Sequence, residues 1–171
     1  MNDALLLVDV VNDFRHEDGG VLLASFSVRH GALVAELERA RGSMPVVYAN
    51  DDWGRWDGNA PGLVRSAIEE GLGGELVRAT APREGDRVVL KPRYSAFDST
   101  PLEILLRQLE VEHVRLAGMA TEMCVTQTAI AARELGFKVT VLPEACACVD
   151  ERLERIALEY LRDVVGVYLE P

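Results

Sequence analysis

Short, continuously apolar runs rich in valine and leucine alternate with amphipathic stretches along the chain. The runs Ala4 to Asp9, Pro45 to Asn50, Arg87 to Lys91, His113 to Gly118, Lys138 to Leu142 and Val164 to Leu169 read as strands buried on both faces of a parallel sheet. Between them, Val28 to Arg41, Leu63 to Gly71, Thr100 to Glu110, Glu122 to Leu135 and Glu151 to Arg162 carry apolar residues at three- and four-residue spacing, the period of a helix with one buried face. The alternation predicts an α/β fold of three layers, α/β/α, with a six-stranded parallel sheet. Gly42 and Gly136 follow helical stretches where a left-handed cap is wanted, and Ser99 or Thr100 before Pro101 suits a helix start.

The two long irregular stretches, Val10 to Ser27 and Asp51 to Pro61, leave the C-terminal ends of predicted strands, where open α/β sheets place their ligands. Both tryptophans, Trp53 and Trp56, lie in the second stretch, either as a lid or pocket wall or as anchors of a long loop. At 171 residues, 49% of them hydrophobic and 27% charged, the chain fits one domain, residues 1–171, with no repeat or linker. A formal charge of −10 argues against nucleic acid as a partner, because phosphate backbones are held by basic patches. No basic leader opens the sequence and no apolar run reaches membrane-spanning length, so no membrane partner and a cytoplasmic address are expected. Three cysteines are too few and too odd for a disulfide scaffold.

Cys124 follows the predicted strand His113 to Gly118 and the turn Met119-Ala120-Thr121, in the first turn of a helix. Amides and the helix dipole there favour a thiolate, and the same amides can hold an oxyanion. Cys146 and Cys148 form a C-x-C pair without a matching cluster and read as core residues. A thiol nucleophile needs a base, yet His30 reads as a helix residue and His113 as a strand entry, and only His16 lies in a loop near the predicted site. The proton acceptor is therefore expected to be a carboxylate. Asp9 ends an apolar strand, so its burial hinders ionisation and makes it a better base. Lys91 ends another and supplies a cation between two potential anions.

Three segments carry a resemblance: Ala4-Leu5-Leu6-Leu7-Val8-Asp9-Val10-Val11-Asn12-Asp13-Phe14, Lys91-Pro92-Arg93-Tyr94-Ser95-Ala96-Phe97, and Gly118-Met119-Ala120-Thr121-Glu122-Met123-Cys124-Val125. The third continues through Thr128, Ala132, Gly136 and Pro143-Glu144-Ala145-Cys146-Ala147. In this order, over nearly the whole chain, they resemble the isochorismatase-like cysteine hydrolases, which include nicotinamidases and carbamoyl amidohydrolases. The resemblance implies a Rossmann-like isochorismatase fold and a catalytic triad of Asp9, Lys91 and Cys124. It also implies a cis peptide between Met119 and Ala120, with the Ala120 and Cys124 amides as oxyanion hole. The substrate pocket is assigned to Phe14, Trp53, Trp56, Tyr94, Phe97 and Met119, with Arg55 or Arg93 as a charge for a substrate carboxylate. A small-molecule substrate and a homo-oligomer, dimer or tetramer, are expected partners.

The pattern also departs from its relatives. Nicotinamidases resemble one another in a metal site of one Asp and two His after the second strand, whereas Asn50-Asp51-Asp52-Trp53-Gly54-Arg55-Trp56 contains no His. No metal and no cofactor are expected, since two adjacent loop carboxylates are too few oxygen ligands for a hard cation. Asp98-Ser99 stands where relatives carry a small or aromatic residue and glycine, which alters the polarity of the pocket floor. The favoured activity is hydrolysis of a carbon-nitrogen bond in a small amide, carbamoyl or imide substrate through a thioester. The alternatives are an isochorismatase-type vinyl ether hydrolase, for which Cys124 would be dispensable, and a non-catalytic ligand-binding protein of the same fold.

Overall fold

The computed structural model describes residues 2–170. Six strands, β1 (Asp3–Val8), β2 (Val46–Asp51), β3 (Arg87–Lys91), β4 (His113–Met119), β5 (Lys138–Ala147) and β6 (Tyr168–Leu169), form one sheet in the order β3-β2-β1-β4-β5-β6. Every pairing is parallel. Strand order reverses between β1 and β4, which opens a crevice at their C-terminal ends.

Helices α1 (Gly19–Arg41), α2 (Ala60–Glu69) and α3 (Gly74–Thr80) precede β3; α4 (Leu102–Gln108), α5 (Thr126–Glu134) and α6 (Glu151–Tyr160) follow it. One core joins Leu5, Leu7 and Tyr48 of the sheet to Leu22, Phe26, Leu33 and Leu37 of α1 and to Leu63 and Val77 of α2 and α3. The other joins Leu6, Val8 and Val47 to Leu102 and Leu106 of α4, Ala129 and Ala132 of α5, and Leu161. Alternate residues of β1 therefore feed opposite cores, as the two-residue repeat of a strand requires.

Several boundaries differ from the sequence expectation. α1 begins at Gly19 rather than Val28; the opening glycines and serines read as loop, but burial of Leu22 and Phe26 outweighs their poor helix propensity. A side chain at Gly19 would meet the Phe14 carbonyl oxygen at 2.0 Å, so that loop-like residue is a packing requirement of the helix start. By composition α1 is long and apolar enough to cross a membrane, but its Leu22, Phe26, Leu33 and Leu37 pack on the sheet. α3 has no counterpart among the helices that the apolar spacing predicts. Gly42 is right-handed (φ −85°), whereas Gly136 takes the expected left-handed conformation (φ 87°) after α5. Pro101 stands at the N-cap of α4, and Thr100 Oγ1 just before it accepts from the Leu102 amide at 3.2 Å.

β5 runs five residues past Leu142, with a register break that skips from Val141 to Cys146 opposite β4; Pro143, which has no amide to donate, lies inside the break. The predicted last strand shrinks to two residues. Its first half, Val164 and Val165, closes a π-helical turn (Leu161–Val165) that extends α6, and Gly166 ends it left-handed at φ 77°.

Gly118 lies in β4 against the central strand at φ 128°, and a side chain there would meet the Val8 carbonyl oxygen at 2.1 Å and its amide nitrogen at 2.7 Å. Gly31, in the exposed middle of α1, has open space. Urea unfolding is expected to show Gly118→Ala destabilised by roughly 3 kcal/mol or more and Gly31→Ala stabilised by about 0.5–1 kcal/mol. A Gly118→Ala protein as stable as the parent would refute this packing.

Candidate active site

Asp9, Lys91 and Cys124 converge at the crevice between the strand ends. Asp9 is the first residue after β1, buried, with positive φ (53°); its amide donates to the Ala49 carbonyl at 3.0 Å. Its Oδ1 accepts from the Asp51 amide at 2.8 Å. Its Oδ2 lies 2.8 Å from Lys91 Nζ. The Lys91 side chain is fully buried, and its ammonium has two further partners, the Arg93 carbonyl at 2.9 Å and Cys124 Sγ at 3.6 Å. Three donors thus meet three acceptors, the condition under which a buried ammonium is tolerated.

Cys124 is half-buried in a π-helical turn, Thr121–Val125, that runs straight into α5. This turn is fixed from below: Thr121 Oγ1 reaches the Ala147 carbonyl at 3.1 Å and Glu154 Oε1 at 2.8 Å. Glu154 is held in turn by Arg29, with Nη1 and Nη2 at 2.5 and 2.7 Å from its two oxygens. Arg29 also donates to the carbonyls of Pro143 and Cys146 in β5. Glu122 Oε1 accepts from the amides of Val149 and Asp150. The sequence held no signal for the Arg29–Glu154–Thr121 chain, because a glutamate in the first turns of a helix and an arginine on another helix are ordinary surface residues until folding joins them.

Burial sets the protonation of the triad. Desolvation raises the Asp9 carboxyl above its ordinary value, against the opposing attraction of Lys91. Burial opposes the charge of Lys91, yet its attraction to Asp9 and to Cys124 prevails and its pKa lies above the usual lysine value. Cys124 is pushed up to about 12, first by desolvation and then by the Asp9 charge, with Lys91 opposing. This corrects the expectation of a ready thiolate: the loss of water and a neighbouring anion outweigh the lysine. The arrangement is a thiol beside a carboxylate whose pKa burial has raised. Cys146 and Cys148 are buried, and burial raises both thiols, Cys146 to about 12.

The peptide bond between Met119 and Ala120 is cis, and among the described residues the Ala120 amide donates to no backbone carbonyl outside the strands and helices. Around the triad the aromatic residues separate. Phe14 is buried in the α1-side core, its ring 5.7 Å from that of Phe26, and Met119 is buried in the same core. Phe97 is half-buried and stacks on Phe137 at 6.1 Å. Trp53, Trp56 and Tyr94 are exposed, as are Arg55 and Arg93. The loop carrying the tryptophans is shaped by carboxylates: Asp51 accepts from the Trp53 amide, and Asp52 from the amides of Gly54 and Trp56. His16 stacks on Trp53 at 6.0 Å, so the loops after β1 and β2 meet above the site. No group of three or more His, Cys, Asp or Glu among the described residues is placed to hold a metal ion.

Comparison with known proteins follows the same lines. Residues 3–170 match the model of the isochorismatase domain. An N-carbamoylsarcosine amidase from Thermoplasma acidophilum is 30% identical and superposes at a TM-score of 0.72, covering 99% of this chain and 96% of that one. The ureidoacrylate amidohydrolase RutB of Cronobacter sakazakii is 31% identical over 152 residues, which are 73% of this chain and 66% of that protein. The nicotinamidase/pyrazinamidase PncA of Bacillus subtilis, at 24% identity, shares the fold along the full length of both chains at a TM-score of 0.79. The chain belongs to the isochorismatase family of hydrolases.

Proposed function

We propose that this protein hydrolyses a carbon-nitrogen bond of a small amide, carbamoyl or imide substrate through a thioester formed on Cys124. The observation that carries the reading is the contact of Lys91 with both Asp9, at 2.8 Å, and the Cys124 sulfur, at 3.6 Å. Asp9 takes the thiol proton as Cys124 attacks the carbonyl carbon, and the oxyanion is received by the amides of Ala120 and Cys124. The protonated Asp9 then delivers that proton to the departing nitrogen, which breaks the carbon-nitrogen bond and leaves an acyl thioester. Water, deprotonated by Asp9, attacks the thioester carbon and releases the acid and the thiol. Lys91 does not exchange a proton; it keeps the carboxylate ionised and aimed while the charge moves.

The carbamoyl class is favoured within this reading, because relatives at 30% identity or above are named as an N-carbamoylsarcosine amidase and as ureidoacrylate amidohydrolases. The exposed Trp53 and Trp56 form the adjustable wall of the entrance, and Arg55 and Arg93 stand at hand for a substrate carboxylate. Phe97, Phe14 and Met119 act from beneath as the packed support of the pocket.

Cys124→Ala is expected to lower kcat/KM by about 10⁴-fold or more on a carbamoyl or ureido substrate, as loss of a nucleophile does. Retained turnover by that variant would remove the thioester mechanism and bring forward the vinyl ether reading. A panel of carbamoyl, ureido, primary amide and imide compounds, scored by ammonia or amine release, tests the substrate class; hydrolysis of none would overturn it.

Asp9 must be ionised to accept the proton, so kcat/KM is expected to rise with pH along an acid limb centred above the ordinary carboxylate value of 3.8, because burial raises this group. Removing the nearest cation disfavours the ionised carboxylate further. In Lys91→Met the acid limb is therefore expected to move to higher pH with a lower plateau, and an unmoved or lowered limb would show that Lys91 does not govern Asp9.

A further inference from the structure

α6 and its π-helical turn are apolar on two sides, for Leu158, Leu161 and Val165 pack into the core beside a buried carboxylate while a second apolar row faces outward. Continued by its π-helical turn, the rod Glu151–Val165 points a carboxylate, Glu154, at the interior, where Arg29 neutralises it and the Thr121 hydroxyl hydrogen-bonds to it. Its solvent side carries Leu153, Ile156, Tyr160 and Val164, spaced by three, four and four residues, so they form one stripe. They are 41%, 50%, 49% and 68% exposed. Isolated apolar residues on a surface need no partner, but a continuous stripe along a whole helix does.

The charges beside the stripe name the partner. Arg152 and Asp163 are about three helical turns apart and therefore lie on the same flank of it. Each sits at the end of the helix that disfavours its own charge, the cation in the first turn and the anion in the last. Asp163 meets its neighbour Arg162 at 2.7 and 2.9 Å, but both side chains are more than half exposed, a pairing that contributes little and leaves the carboxylate accessible. When two copies of the helix pack antiparallel about a twofold axis, the same flank of each faces the other. Arg152 of one copy then stands opposite Asp163 of its mate, twice by symmetry, while Leu153 meets Val164 and Ile156 meets Tyr160. An anionic lipid surface has no such match, for the outer charges of the rod balance and the chain as a whole carries −10.

We propose that the outer face of α6 is the self-association surface of this protein, on which a second copy docks as an antiparallel, twofold helix pair. Sedimentation velocity from about 1 to about 200 µM covers the range that a small helix-pair interface populates. The wild-type chain is expected to form a dimer. Ile156→Glu, Arg152→Glu and Asp163→Arg are each expected to weaken it by about tenfold or more, since each sets a charge against apolar surface or against a like charge.

The two charge variants place their new residues at the helix ends that favour them, so their folding is retained. Mixed together, Arg152→Glu and Asp163→Arg regain complementarity only across the interface, where the carboxylate introduced in one variant faces the guanidinium introduced in the other. A heterodimer seen by native mass spectrometry is the result expected. A wild-type chain that stays monomeric throughout, a dimer indifferent to Ile156→Glu, or a mixture no tighter than its components would each overturn the proposal.

Discussion

A lysine ammonium with no access to water, 2.8 Å from a carboxylate that is itself buried, is the constraint around which the rest of the site is arranged. Moving two such charges out of water costs several kcal/mol each, and their attraction offsets that only when the remaining lone pairs and protons are satisfied. Asp9 and Lys91 come from β1 and β3, which are separated in the sheet by β2, so the pair spans the end of the intervening strand. β2 contributes the missing donor, the amide of Asp51. The loop after β3 contributes the missing acceptor, the Arg93 carbonyl, which also fixes the start of the segment leading to Phe97. Pairing of the strands, closure of the loops and ionisation of the site are thus one condition met together.

Cys124 enters as the last partner of that ammonium. Its sulfur is held near a cation, yet burial and the Asp9 charge keep the proton on it. The thiol thus stands beside a carboxylate whose own pKa burial has raised. The support for this geometry comes from far along the chain. Thr121, Glu154 and Arg29 link the turn to α6 and α1, and the carbonyls of β5 close the network.

The inner face of α6 and its π-helical turn combines that network with core packing: Glu154 pairs with Arg29 and meets Thr121 beneath the turn that carries Cys124, while Leu158, Leu161 and Val165 pack into the core. Leu153, Ile156, Tyr160 and Val164 remain on the outside.

The strands, the helices over Val28 to Arg41 and Glu122 to Leu135, and the three segments bearing Asp9, Lys91 and Cys124 were legible in the amino-acid order. Hydrophobic periodicity and polar residues at the ends of apolar runs are local properties. The start of α1 at Gly19, the existence of α3, the break around Pro143 and the splitting of the last apolar run at Gly166 were not, because each is decided by what the segment packs against. The site divides the same way. That a cysteine, a lysine and an aspartate stand at strand ends follows from the sequence by itself. That Lys91 touches both others, that the thiol is protonated, that Phe14 and Met119 lie in the core while Trp53 and Trp56 lie outside, and that Glu154 points inward were set by tertiary structure, since burial, distance and desolvation arise only when segments remote in the chain exclude water together.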